Sequence, residues 1–113
     1  MKKRLQYRQG DVLIERVESI PKDAKKRKRE EGLVILARGE ATGHHHSFGS
    51  RRVSMYAVAD EYERLGSGFV EIKTQGGALL RHQEHAPIDV PAGNYRVIRQ
   101  REYSPEDLRL VAD

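Results

Sequence analysis

The chain has 113 residues, with Lys+Arg 21 against Asp+Glu 17 and a formal net charge of +4. That length suits one domain with one core, so a single β domain over 1–113 is expected. Cysteine is absent, which excludes disulfides, cysteine-ligated zinc or iron–sulfur sites and thiol nucleophiles. No apolar run reaches the roughly 18–20 residues of a membrane helix. The basic start MKKRLQYRQG lacks the apolar stretch of a signal peptide, so a cytoplasmic protein with no membrane partner is expected.

The first strand signal is Asp11–Glu18, rich in β-branched residues and preceded by Gly10, with Val12 and Ile14 on one face. Ile20-Pro21 ends it. Residues 22–31, KDAKKRKREE, carry six basic and three acidic groups without apolar periodicity. They read as a basic loop, either solvated or in contact with phosphates.

Leu33–Ala37 is a continuous apolar run of strand length, which predicts a strand buried on both faces. Val53–Ala59 alternates, and Phe69–Lys73 and Ala78–Arg81 follow, separated by the turn signal Gly76-Gly77. Ile88–Val90 is short, Pro91–Asn94 is a turn, and Tyr95–Gln100 is the last long strand. Ser104-Pro105-Glu106-Asp107 combines an N-cap residue, a first-turn proline and acids, which predicts a short C-terminal helix. The whole reads as all-β: a small single-domain barrel or sandwich closed by that helix. Small barrels often pair to cover edge strands, so a homodimer is possible, although no segment demands one.

Five histidines fall in two groups, His44–His46 and then His82 and His85. In an extended segment His44 and His46 share a face and His45 points away. Imidazole pairs of this kind hold Zn, Mn, Fe, Ni or Cu. In Arg81-His82-Gln83-Glu84-His85, a bend before Pro87 would turn His85 toward His82 and Glu84. The expected metal ligands are therefore His44, His46, His82 and His85, around a divalent ion such as Zn, Mn, Fe or Ni. Glu84, His85 and Tyr103 are the expected catalytic groups, and Glu40 is a further candidate base or ligand. Gly39–Gly43 leads into the first cluster as a hairpin turn or a close backbone approach to a ligand. Arg99, Arg101 and Tyr103 alternate onto one face at the end of the last strand. The two arginines suit phosphate or carboxylate binding, and Tyr103 can donate a hydrogen bond or stack on a base.

The stretches GDVLIERVESIP, ARGEATGHHH and HQEHAPIDVPAGNYRVIRQREY resemble small uncharacterised bacterial and phage-associated proteins. Those proteins share Gly-Glu-Ala-Thr-Gly-His-x-His, His-x-Glu-His-x-Pro-Ile and Gln-Arg-Glu-Tyr elements, and the resemblance implies no reaction. His44-His45-His46 with Pro91-Ala92-Gly93 is also similar, more distantly, to the early His pair and late Pro-x-Gly turn of cupin barrels. The chain departs from cupins in having Ser47–Arg51 where they place a Glu, and Arg96 where they place a later His. Later ligands would have to come from 82–85.

Four functions fit. A metal-dependent phosphoester hydrolase acting on nucleic acid or a nucleotide joins the histidines to the basic composition. A metal-independent ribonuclease would use one His as acid and another as base, since imidazole titrates near pH 6.5. A non-catalytic barrel would bind RNA, DNA or protein, with five Tyr and two Phe scattered along the chain for stacking. A cupin-like oxygenase or isomerase is the fourth. Chelator sensitivity separates the first two.

Overall fold

The computed structural model describes residues 5–38 and 43–99. Glu40, Arg101, Tyr103 and the helix expected from Ser104 lie outside the described residues.

Two antiparallel sheets form, as the alternation and turn signals predict, and no closed barrel appears among the described residues. The first sheet has the order β1 (Gln6–Gln9), β2 (Val12–Val17), β10 (Gly93–Arg99), β7 (Gly68–Ile72), β6 (Val53–Ala57) and β3 (Lys25–Lys26). The second has the order β4 (Val34–Arg38), β5 (His45–Phe48), β8 (Ala78–Arg81) and β9 (Ile88–Val90). The core lies between them. Val12, Ile14, Met55, Val70, Ile72, Tyr95 and Val97 come from the first sheet, and Val34, Leu36, Phe48, Leu80 and Val90 from the second. β6 and β7 alternate buried and half-exposed residues, the period-2 signature of a sheet with one face inward. β4 is buried from Val34 to Ala37, as its unbroken apolar run predicts. The last strand, β10, sits mid-sheet between β2 and β7, so two sets of long-range pairings bury Tyr95 and Val97 completely. The Tyr95 hydroxyl donates to the Pro91 carbonyl at 2.7 Å, so burying this ring leaves its polar end satisfied.

Three elements escape sequence reasoning: β1, β3 and α1 (Glu61–Leu65). The helix has no fully buried residue, although its Tyr62 is partly buried against the core. Its Tyr62 is held from outside, donating to the Ile35 carbonyl at 2.8 Å while the Arg27 guanidinium lies 3.7 Å above the ring. The Gly76-Gly77 turn forms, with Gly77 N–H donating to Thr74 O, but it is not a hairpin. β7 and β8 belong to different sheets, and this turn carries the chain between them. The segment 22–31, expected as a loop, is in part a strand: Lys25–Lys26 pair with β6, Arg27 N–H donates to Met55 O, and Arg29 donates to the carbonyls of Gly32, Val53 and Ser50. Among the described residues, no helix is long and apolar enough to cross a membrane.

Candidate functional site

The β1–β2 hairpin brings the first sheet to the histidines. Gln9 pairs with Val12, so Gly10 and Asp11 form a two-residue turn, with Gly10 at φ +58°. The turn lies at one end of the sandwich, against β5 and the loop between β8 and β9. A Cβ on Gly10 would sit 2.7 Å from His85 Nε2 and 3.2 Å from His46 Cε1, and the positive φ there favours glycine.

β5 supplies the central histidine. The β4–β5 register shifts between Ile35 and Ala37, and Ala37 then faces His46. A bulge of this kind re-aims the side chains beside it. His46 shares the inward side of β5 with Phe48 and is 2% exposed.

Gln9 fixes the chemistry of His46. Its amide nitrogen donates to Leu80 O and to Ala86 O, both at 3.0 Å. Its amide oxygen is therefore left to accept, and it lies 2.8 Å from His46 Nδ1. His46 must carry its proton on Nδ1, which leaves a lone pair on Nε2. That nitrogen faces Asp11 Oδ1 at 3.3 Å. Burial and the neighbouring charge of His82 push the His46 pKa down to about 4, against the upward pull of Asp11. Burial alone would raise the Asp11 carboxyl, but the hydrogen bond and charge of Arg99 hold it below the usual carboxylate range. Arg99 Nε donates to Asp11 Oδ2 at 3.0 Å. At neutral pH an imidazole lone pair and a carboxylate thus face each other with no proton between them.

The 82–87 loop supplies the rest. The backbone N–H groups of Glu84 and His85 donate to His82 Nδ1 at 3.0 and 3.3 Å. Neutral His82 therefore carries its proton on Nε2, the tautomer opposite to that of His46. The His82 ring centroid lies 4.4 Å from that of His46, 4.6 Å from His85 and 5.6 Å from His44. Burial, then the charges of His85 and His44, lower the His82 pKa. His44 Nδ1 lies 3.2 Å from Glu84 Oε1. His45 turns aside, with its Nδ1 3.1 Å from Ser47 Oγ.

The chain folds so that His44, His46, His82 and His85 are neighbours with Glu84 beside them. Their donor atoms are not a ready-made ligand set: among the described residues no three His, Cys, Asp or Glu side chains are arranged to hold a metal ion. With Nδ1 accepting two backbone hydrogen bonds and Nε2 protonated, His82 is no ligand in this tautomer. Arg99, read from sequence as a substrate contact, is an ion-pair partner of Asp11. Sequence reasoning missed Gln9 and Asp11. The available signal was a polar Gln-Gly-Asp turn directly before an apolar strand.

A family model described as "Domain of unknown function (DUF8820)" matches residues 8–100. Neither a curated protein nor a solved structure matches the chain.

Proposed function

The chain belongs to the DUF8820 family, whose description names no activity, and from the site itself we propose a metal-dependent phosphoester hydrolase acting on nucleic acid or a nucleotide. The reading rests on one observation: His46 Nε2 and Asp11 Oδ1, both acceptors, are 3.3 Å apart with no proton to join them. Two ligands about 2.1 Å from one ion at a near-tetrahedral angle are separated by about 3.4 Å. The pair therefore has the spacing of two adjacent ligands. Gln9 stands where a partner that orients a ligating histidine belongs. His85, whose ring stacks 6.0 Å from that of His46, is the nearest further candidate and would have to move to complete a ligand set.

A bound divalent ion would lower the pKa of its water to about 7 and supply the nucleophile. The chain's own residues do the remainder. Arg99 keeps Asp11 ionised, Gln9 keeps the His46 lone pair exposed, and the His82 ring, 4.4 Å from that of His46, carries an N–H that can hydrogen-bond a substrate oxygen. The net charge of +4 favours an anionic substrate. The His-x-His and His-x-Glu-His elements of the family-like sequence both fall at this site, which fits one shared role for them.

A second reading has its own support. His46 keeps an unprotonated Nε2 that can take a proton, and His82, 4.4 Å away ring to ring, would serve as the acid only in its doubly protonated imidazolium form, as metal-independent RNA cleavage needs. The deciding experiment uses chelator-treated protein with bis(4-nitrophenyl) phosphate and a labelled single-stranded RNA, before and after Mn, Zn, Fe or Ni is restored. The metal reading expects hydrolysis only with one of these ions, and loss of it in Asp11→Asn and His46→Ala. RNA cleavage that survives chelation, and survives Asp11→Asn, would favour the acid–base pair. Absence of cleavage under every condition would overturn both.

A further inference from the structure

The outer face of the first sheet carries a second feature. Paired residues on neighbouring strands share a face. The register therefore draws one row across all six strands: Gln6, Glu15, Arg96, Phe69, Tyr56 and Lys26. Their in-strand neighbours, Ile14, Val97, Val70 and Met55, point into the core, so this row points away from it. Phe69 and Tyr56 are thirteen positions apart in sequence and directly opposite in the sheet (69 − 56). Both rings are half-exposed, and neither belongs to the core cluster nor packs against it.

Charge flanks the aromatic pair. Arg96 adjoins Phe69 on one side and Lys26 adjoins Tyr56 on the other. The face also holds two carboxylates, and each is already matched. Glu15 is 5% exposed, with one oxygen 2.8 Å from Arg96 Nη2 and the other accepting from Gln6 at 2.8 Å. Glu71 accepts from the Tyr56 hydroxyl at 3.4 Å and lies 3.6 Å from Lys73 Nζ. Arg8 and Lys26 add exposed positive charge at the two edges. The Tyr56 hydroxyl bond holds that ring in place, which lowers the ordering cost of stacking on it.

We propose that this sheet face, centred on Tyr56 and Phe69 between Arg96 and Lys26, binds single-stranded nucleic acid. Every base has a flat π-face that can stack on an aromatic ring, and Lys26 meets the phosphates together with Arg96, whose charge is shared with Glu15. Phe69 has no hydrogen-bonding group and Tyr56 spends its hydroxyl on Glu71, so the face is fitted to stacking without reading sequence. A duplex hides its base faces and would be held by charge alone. The inference stands on the aromatic row and is independent of whether the histidine site holds a metal. The row of Arg8, Leu13 and Ile98 lies between the aromatics and the Gln9–Asp11 turn.

The test is fluorescence anisotropy of the full chain with labelled oligo(dT) and oligo(U), and with a duplex of equal length, over a salt series. Saturable binding to the single strands, tighter than to the duplex, is expected. Tyr56→Leu with Phe69→Leu keeps apolar area but removes stacking, and should weaken single-strand binding about tenfold or more. Binding is measured in excess chelator, where the hydrolase reading expects no turnover, which separates this result from failure of that reading. Amide NMR of the unsubstituted protein checks the location without any variant: shifts should gather around 56, 69 and 96. Equal affinity for the duplex, or undiminished affinity in the double variant, would overturn the proposal. So would shifts gathered elsewhere, or a face occupied by a second copy of the chain in ultracentrifugation with no oligonucleotide bound.

Discussion

Gln9 is the residue on which the site turns, because one amide sets a histidine tautomer and ties down a loop. Its oxygen accepts from His46, and its two N–H bonds reach Leu80 O and Ala86 O on either side of the 82–85 segment. In Gln9→Glu the carboxylate can still accept from His46, but it cannot donate to either carbonyl. That variant should lose about 1–3 kcal/mol in urea unfolding for the unsatisfied groups, and about 10–100-fold in Zn affinity if the seat is used. The His46 pKa gives a second prediction, for protein kept free of metal. In the unfolded chain His46 takes a proton near pH 6.5, whereas in the fold it resists until about pH 4. Its folded pKa is depressed, so its contribution is complete above pH 6.5 and is lost progressively as pH falls toward 4. The total is of the order of 3 kcal/mol. Urea unfolding at a series of pH values checks this, and His46→Gln should flatten that segment of the curve. The two histidine groups were legible in sequence because His-x-His spacing and a pre-proline bend are local. Gln9 and Asp11 were not, because their partners lie 37, 71 and 77 positions away for Gln9 and at Arg99 for Asp11.

At the scale of elements, the alternating strands β2, β6, β7 and β10 announced themselves by period and β4 by its unbroken apolar run. The sheet each strand joined was not legible, because Gly-Gly marks a turn without saying whether the next strand pairs with the last. Here it does not, and Gly77 shows the cost of the crossing. Its φ is +80°, and a Cβ there would lie 2.5 Å from Val90 O, whereas Gly76 has open space. Gly77→Ala should therefore destabilise the fold by about 1–3 kcal/mol, and Gly76→Ala by much less. Thermal unfolding of the two variants compares them directly. The helix α1 was invisible because five residues with no fully buried side chain carry no periodic signal. Its place depends on Tyr62 and Arg27, a tertiary clamp that propensity does not encode.

For the whole molecule, the two sheets leave edges that the sequence guards unequally. β3 is an edge strand made of Lys25 and Lys26, both exposed, and lysines on an edge oppose pairing with another chain. Lys25→Val with Lys26→Val should raise concentration-dependent association in analytical ultracentrifugation, and unchanged sedimentation would refute that role. Two sites are proposed on this fold, the aromatic sheet face and the end of the sandwich where Asp11 meets His46. The central claim concerns the second of these. Histidine side-chain 1H–15N NMR during a zinc titration of chelator-treated protein tests it most directly. The account predicts His46 with its proton on Nδ1 and His82 with its proton on Nε2 before metal is added. It then predicts a saturable change at His46 Nε2 that Asp11→Asn abolishes, while His82 keeps its tautomer. A His46 resonance that ignores zinc, or a His46 proton found on Nε2 at the start, would contradict it.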